Sequence, residues 1–261
     1  MLCMKGVISI KSSELASENL VIIPTYNEIE NIEHIIRAVL ALPEDCPFDI
    51  LVVDDGSPDG TAEKVQELQK EVVDRLFLMQ RAGKQGLGTA YIAGFKWALE
   101  RDYQYIFEMD ADFSHNPKDL PRLAKACGEG GVGVSVGSRY VKGGKLVNWP
   151  LKRILMSRGA SFYVRLITWM PVSDATAGFV CYKRDFLAQL DFEKIRFKGY
   201  AFQIEMKFAA WQLGFKLREV PITFKDREEG ASKMSTAIFS EAFWGVWSMR
   251  FKAFGNSYAR L

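Results

Sequence analysis

Phe107-Glu108-Met109-Asp110-Ala111-Asp112-Phe113-Ser114-His115 decides how this chain is read: an apolar run that ends in two aspartates one residue apart. Asp and Glu are poor strand formers, so a D-x-D where a buried run stops reads as a loop bearing carboxylates, outside the strand itself. Two interpretations are open on these residues alone. One is a divalent-metal site that holds a diphosphate; the other is a turn that uses Asp for side-chain to backbone hydrogen bonds.

The segments before the motif repeat one plan. Leu20-Val21-Ile22-Ile23, ended by Pro24, reads as a strand buried on both faces. Asn27 is placed to cap the next helix, with Glu30 three residues on as in a capping box, and Ile29, Ile32, Ile35, Ile36, Val39 and Leu40 mark its apolar face up to Pro43. Ile50-Leu51-Val52-Val53 is the second strand, followed by the turn Asp54-Asp55-Gly56-Ser57-Pro58-Asp59-Gly60 and a helix over 61–73. A third strand over 75–79 leads to Lys84-Gln85-Gly86-Leu87-Gly88-Thr89 and another helix. This G-x-G lacks the third glycine of a dinucleotide fingerprint and the Lys-Ser/Thr ending of a P-loop.

Beyond the motif, Pro117 starts a helix to Cys127, and Val132-Gly133-Val134-Ser135-Val136 is a strand that ends at Gly137-Ser138-Arg139-Tyr140. Alternating strands and helices predict an α/β fold with a mostly parallel central sheet, in which ligands gather at the strands' carboxyl ends. Asp54, Asp55, Asp110, Asp112 and Arg139 all fall there. The stretch 151–170 is helical, basic and aromatic; Ser173-Asp174-Ala175-Thr176-Ala177-Gly178 is a polar turn; 199–214 is a helix with Glu205; and 216–224 is a strand with Pro221, suited to an edge. The loop from Arg227 to Lys233 is charged and carries a glycine, and 238–254 is a helix rich in Phe and Trp.

A net charge of +2 is too near neutral to argue for nucleic acid, so no such partner is expected. Cys3, Cys46, Cys127 and Cys181 show no zinc spacing and read as reduced thiols. No signal peptide is evident, and nowhere do about 18–20 uncharged apolar residues run together as a spanning helix needs. The expected location is cytoplasmic, peripheral at the cytosolic face of a membrane, because the helices at 151–170 and 238–254 are too charged to span a bilayer yet suited to lie on one.

Taken together, Pro24-Thr25-Tyr26-Asn27-Glu28, the Asp54 to Gly60 turn, Gly86-Leu87-Gly88-Thr89-Ala90-Tyr91, Asp110-Ala111-Asp112, Gly137-Ser138-Arg139-Tyr140 and the Arg227 to Lys233 loop resemble family 2 glycosyltransferases. Within that family they are similar to the polyprenol- and dolichol-phosphate mannosyltransferases, over about residues 20–251. The resemblance implies a GT-A fold, with an N-terminal tail over 1–18, a catalytic domain over 19–224, and a substrate-closing loop with an interfacial or partner-binding helix over 225–261. It implies transfer of mannose from GDP-mannose to a polyprenyl or dolichyl phosphate, with Mg²⁺ or Mn²⁺, and allows for a small membrane-protein partner. By the same resemblance Pro24, Tyr26, Glu28, Val53 and Asp55 line the guanosine pocket. Asp110 and Asp112 address the metal, with Met109 and Ala111 as backbone neighbours. Arg139, Arg227 and Lys233 hold phosphates of donor and acceptor. Asp112, Arg139, Arg227 and Lys233 are thus the expected catalytic group. Ser114 stands where some relatives have Gln, Phe113 replaces a common Leu, and 174–179 departs from the commoner L-T-G-S-F.

The chemistry agrees with that resemblance. Departure of a diphosphate needs its growing charge stabilised, which a hard cation and Arg or Lys can do. A phosphate monoester, with a second pKa of about 6, is already a nucleophile near neutrality, so no strong base and no nucleophilic triad is required. Single displacement with inversion, giving a β-linked product, is expected. His34 reads as a surface residue, His115 as a candidate support of the metal loop, and Glu205 as either a structural acid or a catalytic one. The alternatives are a UDP-dependent glucosyl- or N-acetylglucosaminyltransferase on the same acceptor, a sugar-nucleotide nucleotidyltransferase, and a non-catalytic membrane adaptor. The second would place a glycine-rich basic loop after the first strand, where Pro24-Thr25-Tyr26-Asn27-Glu28 stands instead.

Overall fold

A computed structural model of the chain describes residues 17–225, 236–252 and 258–260. The first half alternates as read: β1 (Asn19–Thr25), α1 (Ile29–Leu40), β2 (Phe48–Asp54), α2 (Thr61–Glu71), β3 (Leu76–Gln80), α3 (Leu87–Leu99) and β4 (Tyr105–Glu108). A short 3-10 turn, Pro117–Asp119, leads into α4 (Leu120–Cys127) and β5 (Val132–Ser138). Then come β6 (Lys145–Val147), α5 (Leu151–Thr168), β7 (Val180–Lys183), α6 (Arg184–Gln189), α7 (Tyr200–Gln212), β8 (Lys216–Pro221), β9 (Thr223–Lys225) and α8 (Thr236–Lys252).

The main sheet has the order β3-β2-β1-β4-β7-β5-β8 and is parallel except for β7, which runs antiparallel to both β4 and β5. Successive residues of a strand face opposite sides. Leu20, Ile22, Leu51 and Val53 accordingly pack into one core with α3, and Val21, Ile23, Ile50 and Val52 into the other with α1 and α2. That burial on both faces is why these runs are continuously apolar and do not alternate.

Three local expectations change. β1 continues through Pro24, which sits opposite Val53 of β2. The missing N–H is tolerated because β4 pairs with β1 only from Asn19 to Ile22 and has left the ladder by then. Asn27 is not the cap of α1: it adopts φ +60° and its N–H donates to Ser57 Oγ at 3.0 Å, so the cap falls to Glu28. The open N–H of Ile29 is met from the following loop instead, by Asp59 Oδ2 at 3.1 Å. The expected strand over 216–224 is broken at Ile222 into edge strand β8 and β9, and β9 pairs with β6 in a separate two-stranded sheet.

The chain reverses its direction of growth at β1, with β2 on one side and β4 on the other. Where β1 and β4 part, a crevice opens at their carboxyl ends, the position at which open α/β sheets bind ligands. Because β7 is antiparallel, its amino end lies at that same edge, and residues 174–179 arrive beside the end of β4, with Glu108 opposite Val180.

Candidate functional site

The loops after β1 and β2 are knitted together by the acids of the second turn. Asp54 is fully buried: Thr25 Oγ1 donates to Oδ2 at 2.9 Å, Ser57 Oγ to Oδ2 at 2.6 Å and Ser57 N–H to Oδ1 at 2.9 Å. Asp59 accepts from Thr61 N–H and Oγ1 as well as from Ile29. Burial works against its charged form, but these hydrogen bonds prevail and hold its pKa below the ordinary value. Asp54 and Asp59 are therefore scaffold.

Asp55 is nearly buried, and Arg81, just past β3, reaches it with Nε at 2.6 Å from Oδ1. Arg81 Nη1 also donates to Thr89 Oγ1 at 2.8 Å, so one guanidinium ties the second turn to the start of α3. Tyr26 is exposed, with Lys84 Nζ 4.8 Å from its ring centre. Glu28 N–H donates to Thr61 Oγ1 and its carboxylate accepts from Asn31. Val53 is fully buried in the core, so at this position a pocket wall is backbone. Gly86 and Gly88 serve packing: Gly88 N–H donates to Lys198 O at 2.9 Å, and a side chain at 88 would come within 2.7 Å of the Phe202 ring.

The D-x-D loop is a hydrogen-bonded turn. Asp112 Oδ1 accepts the N–H of Ser114 at 3.0 Å, a turn hydrogen bond that accompanies the left-handed φ of +58° at Phe113. The side chain of Asp110 is about one-third exposed and Asp112 is partly exposed, while Met109 and Ala111 are buried. His115 is buried, stacked on Phe179 at 4.9 Å and edge-on to Phe224, and its Nδ1 accepts the N–H of Asp110 at 3.2 Å. In that bond Nδ1 is the acceptor. His115 thus supports the loop and is not placed as a base. His34 is exposed on α1.

Arg139 follows β5 and is committed to a carboxylate. Its Nε and Nη2 meet Asp174 Oδ2 and Oδ1, its backbone N–H also donates to Oδ2, and Nη2 reaches Thr176 Oγ1 at 3.0 Å. The N–H groups of Ser173 and Asp174 donate in turn to Glu219 of β8. The guanidinium lies 5.3–5.4 Å from the rings of Tyr140, Trp149 and Phe224, and Arg153 of α5 lies 3.9 Å from the Trp149 ring. Asp174 and Arg153 were not legible as site residues: an acid in a polar turn and a basic residue on an amphipathic helix look ordinary. Arg227 and Lys233 lie outside the described residues.

Glu205 faces elsewhere. Its Oε2 accepts the N–H groups of Arg196 and Phe197 at 2.8 and 3.0 Å, and Tyr258 donates to Oε1 at 3.3 Å. Burial raises its pKa against the pull of those bonds. These three hydrogen bonds tie Glu205 to the 196–197 backbone and to Tyr258.

Two helices frame an apolar surface. Tyr163 Oη of α5 donates to Phe243 O of α8, the two rings stack at 4.8 Å, and Arg250 lies over Trp169. Phe162, Trp169 and Trp244 remain 67, 68 and 70% exposed, among Lys152, Arg158 and Arg165. Among the described residues no helix is long and apolar enough to cross a membrane.

Residues 20–191 match the family model described as Glycosyl transferase family 2. The chain is 47% identical over 233 residues to the polyprenol monophosphomannose synthase of Mycolicibacterium smegmatis, covering 87% of this chain and 86% of that one. It is 46% identical to the undecaprenyl-phosphate mannosyltransferase of Micrococcus luteus, covering 87% and 93%. Among solved structures, glucosyl-3-phosphoglycerate synthase from Mycobacterium tuberculosis, with Mn²⁺, UDP and glucosyl-3-phosphoglycerate, superposes with a TM-score of 0.63 at 16% identity, over 90% of this chain and 79% of that one. A mannosyltransferase from Pyrobaculum calidifontis in complex with GDP-Man and Mn²⁺ gives 0.57 at 18%, over 93% and 66%. These two structures share the fold, which is GT-A as the sequence reading expected.

Proposed function

The chain belongs to glycosyl transferase family 2, and from that premise we propose that it moves mannose from GDP-mannose to the phosphate of a polyprenol lipid, giving polyprenyl phosphate β-mannose and GDP. The observation that carries the reading is a convergence. The loops after β1 and β2, the Asp110 and Asp112 loop, and Arg139 all come to the carboxyl end of one sheet. The names of the two relatives in Mycolicibacterium smegmatis and Micrococcus luteus support the acceptor class.

Asp110 and Asp112 suit a hard divalent cation. They offer carboxylate oxygen from a single loop with partial exposure, and Mg²⁺ in particular is held by one or two carboxylates with substrate phosphates completing its shell. When bound, Mg²⁺ or Mn²⁺ supplies neutralisation of charge that grows on the departing diphosphate. The chain's own residues do the rest. Tyr26, Glu28, Asp55 and the backbone at Pro24 and Val53 receive the nucleoside. Arg153, over Trp149, would hold the acceptor phosphate beside Arg139, which Asp174 keeps in place, and Arg227 and Lys233, outside the described residues, carry the phosphate role that the family resemblance implies.

A lipid phosphate, with a second pKa of about 6, reaches the site largely as a dianion. Its oxygen attacks C1 of mannose as the bond from C1 to the diphosphate oxygen breaks, and the electron pair leaves with GDP. No side chain needs to remove a proton, which suits the engagement of His115 Nδ1 by the Asp110 N–H and of the Glu205 carboxylate by backbone N–H groups. The surface of α5 and α8 would seat the enzyme on the cytosolic leaflet where the acceptor lies, alone or with a small membrane protein.

The test is incubation of the full chain with GDP-mannose, Mg²⁺ or Mn²⁺, and short polyprenyl phosphates. Mass spectrometry should detect the mannosyl phospholipid, and NMR should give the β anomer. Product from UDP-glucose or UDP-N-acetylglucosamine but none from GDP-mannose would overturn the donor; an α product would overturn inversion.

A further inference from the structure

Beneath the D-x-D loop lie ionisable side chains that this chemistry does not use. Glu108, the last residue of β4, and Lys207 of α7 are both fully buried, and Tyr91, Tyr182 and Gln203 surround them with polar atoms that lack well-formed hydrogen bonds. Gln203 and Tyr182 stand close enough to Glu108 to act on its ionisation, but neither carboxylate oxygen has a partner at good geometry. Lys207 is better engaged. Its Nζ donates to Ala177 O at 2.7 Å and to Gln203 O at 2.9 Å.

We propose that Lys207 is a positioning residue that fixes the 174–178 turn against the D-x-D loop through its hydrogen bond to the Ala177 carbonyl. The turn is clamped from one side by Arg139 on Asp174 and Thr176, and by Glu219 on the N–H groups of 173 and 174. Ala177 N–H closes the turn on Asp174 O at 3.3 Å, which leaves the Ala177 carbonyl to be held from elsewhere. Lys207 holds it. Gly178 then sits between the two loops: a Cβ there would lie 3.9 Å from both His115 Cε1 and Gln203 Nε2.

The pair also joins the two halves of the site. Glu108 is continuous with Asp110 through Met109, and Lys207 is bonded to the turn that leads into β7, the strand paired with β4. Burial costs the ammonium, and Glu108 and Asp174 offset part of that cost. An apolar residue would fill the same space more cheaply but could not reach a carbonyl. Retaining the lysine therefore gains geometry at the turn.

The assignment of this turn to the acceptor side rests on the function proposed above, so the experiment has one arm that does not. Hydrogen exchange would be followed by mass spectrometry in peptides over 173–179 for the wild type, Lys207→Met and the double variant Glu108→Gln/Lys207→Met. Acceptor KM and the Kd for GDP with Mn²⁺ would be measured alongside. Lys207→Met should speed exchange in that segment by about tenfold, as expected for losing hydrogen bonds to a charged donor, with β1 amides unchanged. Acceptor KM should rise by about tenfold at an unaltered GDP Kd. The double variant, which also lacks the donor to Ala177 O, should keep the fast exchange and high KM. Wild-type protection and KM in Lys207→Met, or their recovery in the double variant, would overturn the brace. If the wild type transfers no mannose, the function above fails, and the exchange arm still decides for or against Lys207.

Discussion

Arg139 and Asp174 form a two-point ion pair in which Nε meets Oδ2 at 2.7 Å and Nη2 meets Oδ1 at 2.6 Å, with Asp174 fully buried and Arg139 nearly so. The planar fork matches the carboxylate on both oxygens, which a lysine ammonium cannot do. Removing one partner strands the other charge in the interior. Asp174→Ala should therefore cost about 3–5 kcal/mol in urea unfolding. Arg139→Lys should be destabilised as well and should lose transfer activity.

Asp110→Asn and Asp112→Asn should fold normally, because an amide oxygen at 112 still accepts the Ser114 N–H. Both should lose Mn²⁺ binding, read by electron paramagnetic resonance titration. Transfer should fall by at least about 100-fold, the scale of losing one group that stabilises developing charge. Wild-type activity in Asp112→Asn would return the loop to a turn without ligands.

His115→Phe keeps an aromatic ring against Phe179 but removes the acceptor for the Asp110 N–H. Outer partners of a metal ligand commonly tune affinity or activity by about 10–100-fold, and a loss in that range is expected for Mn²⁺. His115→Asn, whose side-chain oxygen can replace Nδ1 as acceptor, should recover part of it. Equal loss in both variants would assign His115 to packing alone.

Glu205→Gln should act on stability. Its carboxylate holds two backbone N–H groups and Tyr258, so exchanging the charge should cost about 1.5–3 kcal/mol while kcat per folded molecule stays at the wild-type value. A normal melting temperature with kcat reduced by about 100-fold or more would make Glu205 a catalytic base after all.

Liposome flotation tests the surface of α5 and α8. The wild type should float with anionic vesicles, less so at high salt, because exposed aromatics and basic residues act together there. Trp169→Glu with Trp244→Glu should stay unbound yet still transfer to short, water-soluble acceptors. Undiminished flotation of that variant would remove this surface from the account.

Much of the site was legible because its signals are local. The runs 20–23 and 50–53 are apolar without alternation, which only a strand buried on both faces explains, and each is followed at once by polar turn residues. Asp110 and Asp112 stand out because two acids end a buried strand. The roles of the other acids were not legible. Asp59 and Glu205 differ from ligand carboxylates only in which N–H groups surround them, and those N–H groups lie elsewhere in the sequence, at Ile29 and at 196–197.

By itself, then, the sequence determined a parallel α/β architecture, the strand ends at which chemistry gathers and the D-x-D loop, since these depend on hydrophobic period and on turn residues within a few positions of one another. Tertiary structure alone decided that β7 runs backwards. That reversal carries residues 174–179 to the end of β4 and sets Asp174 on Arg139 and Ala177 on Lys207. The physical reason is distance along the chain. Asp174 is 35 residues from Arg139, and Lys207 is 30 from Ala177, so no local pattern records whether a buried charge will meet a partner.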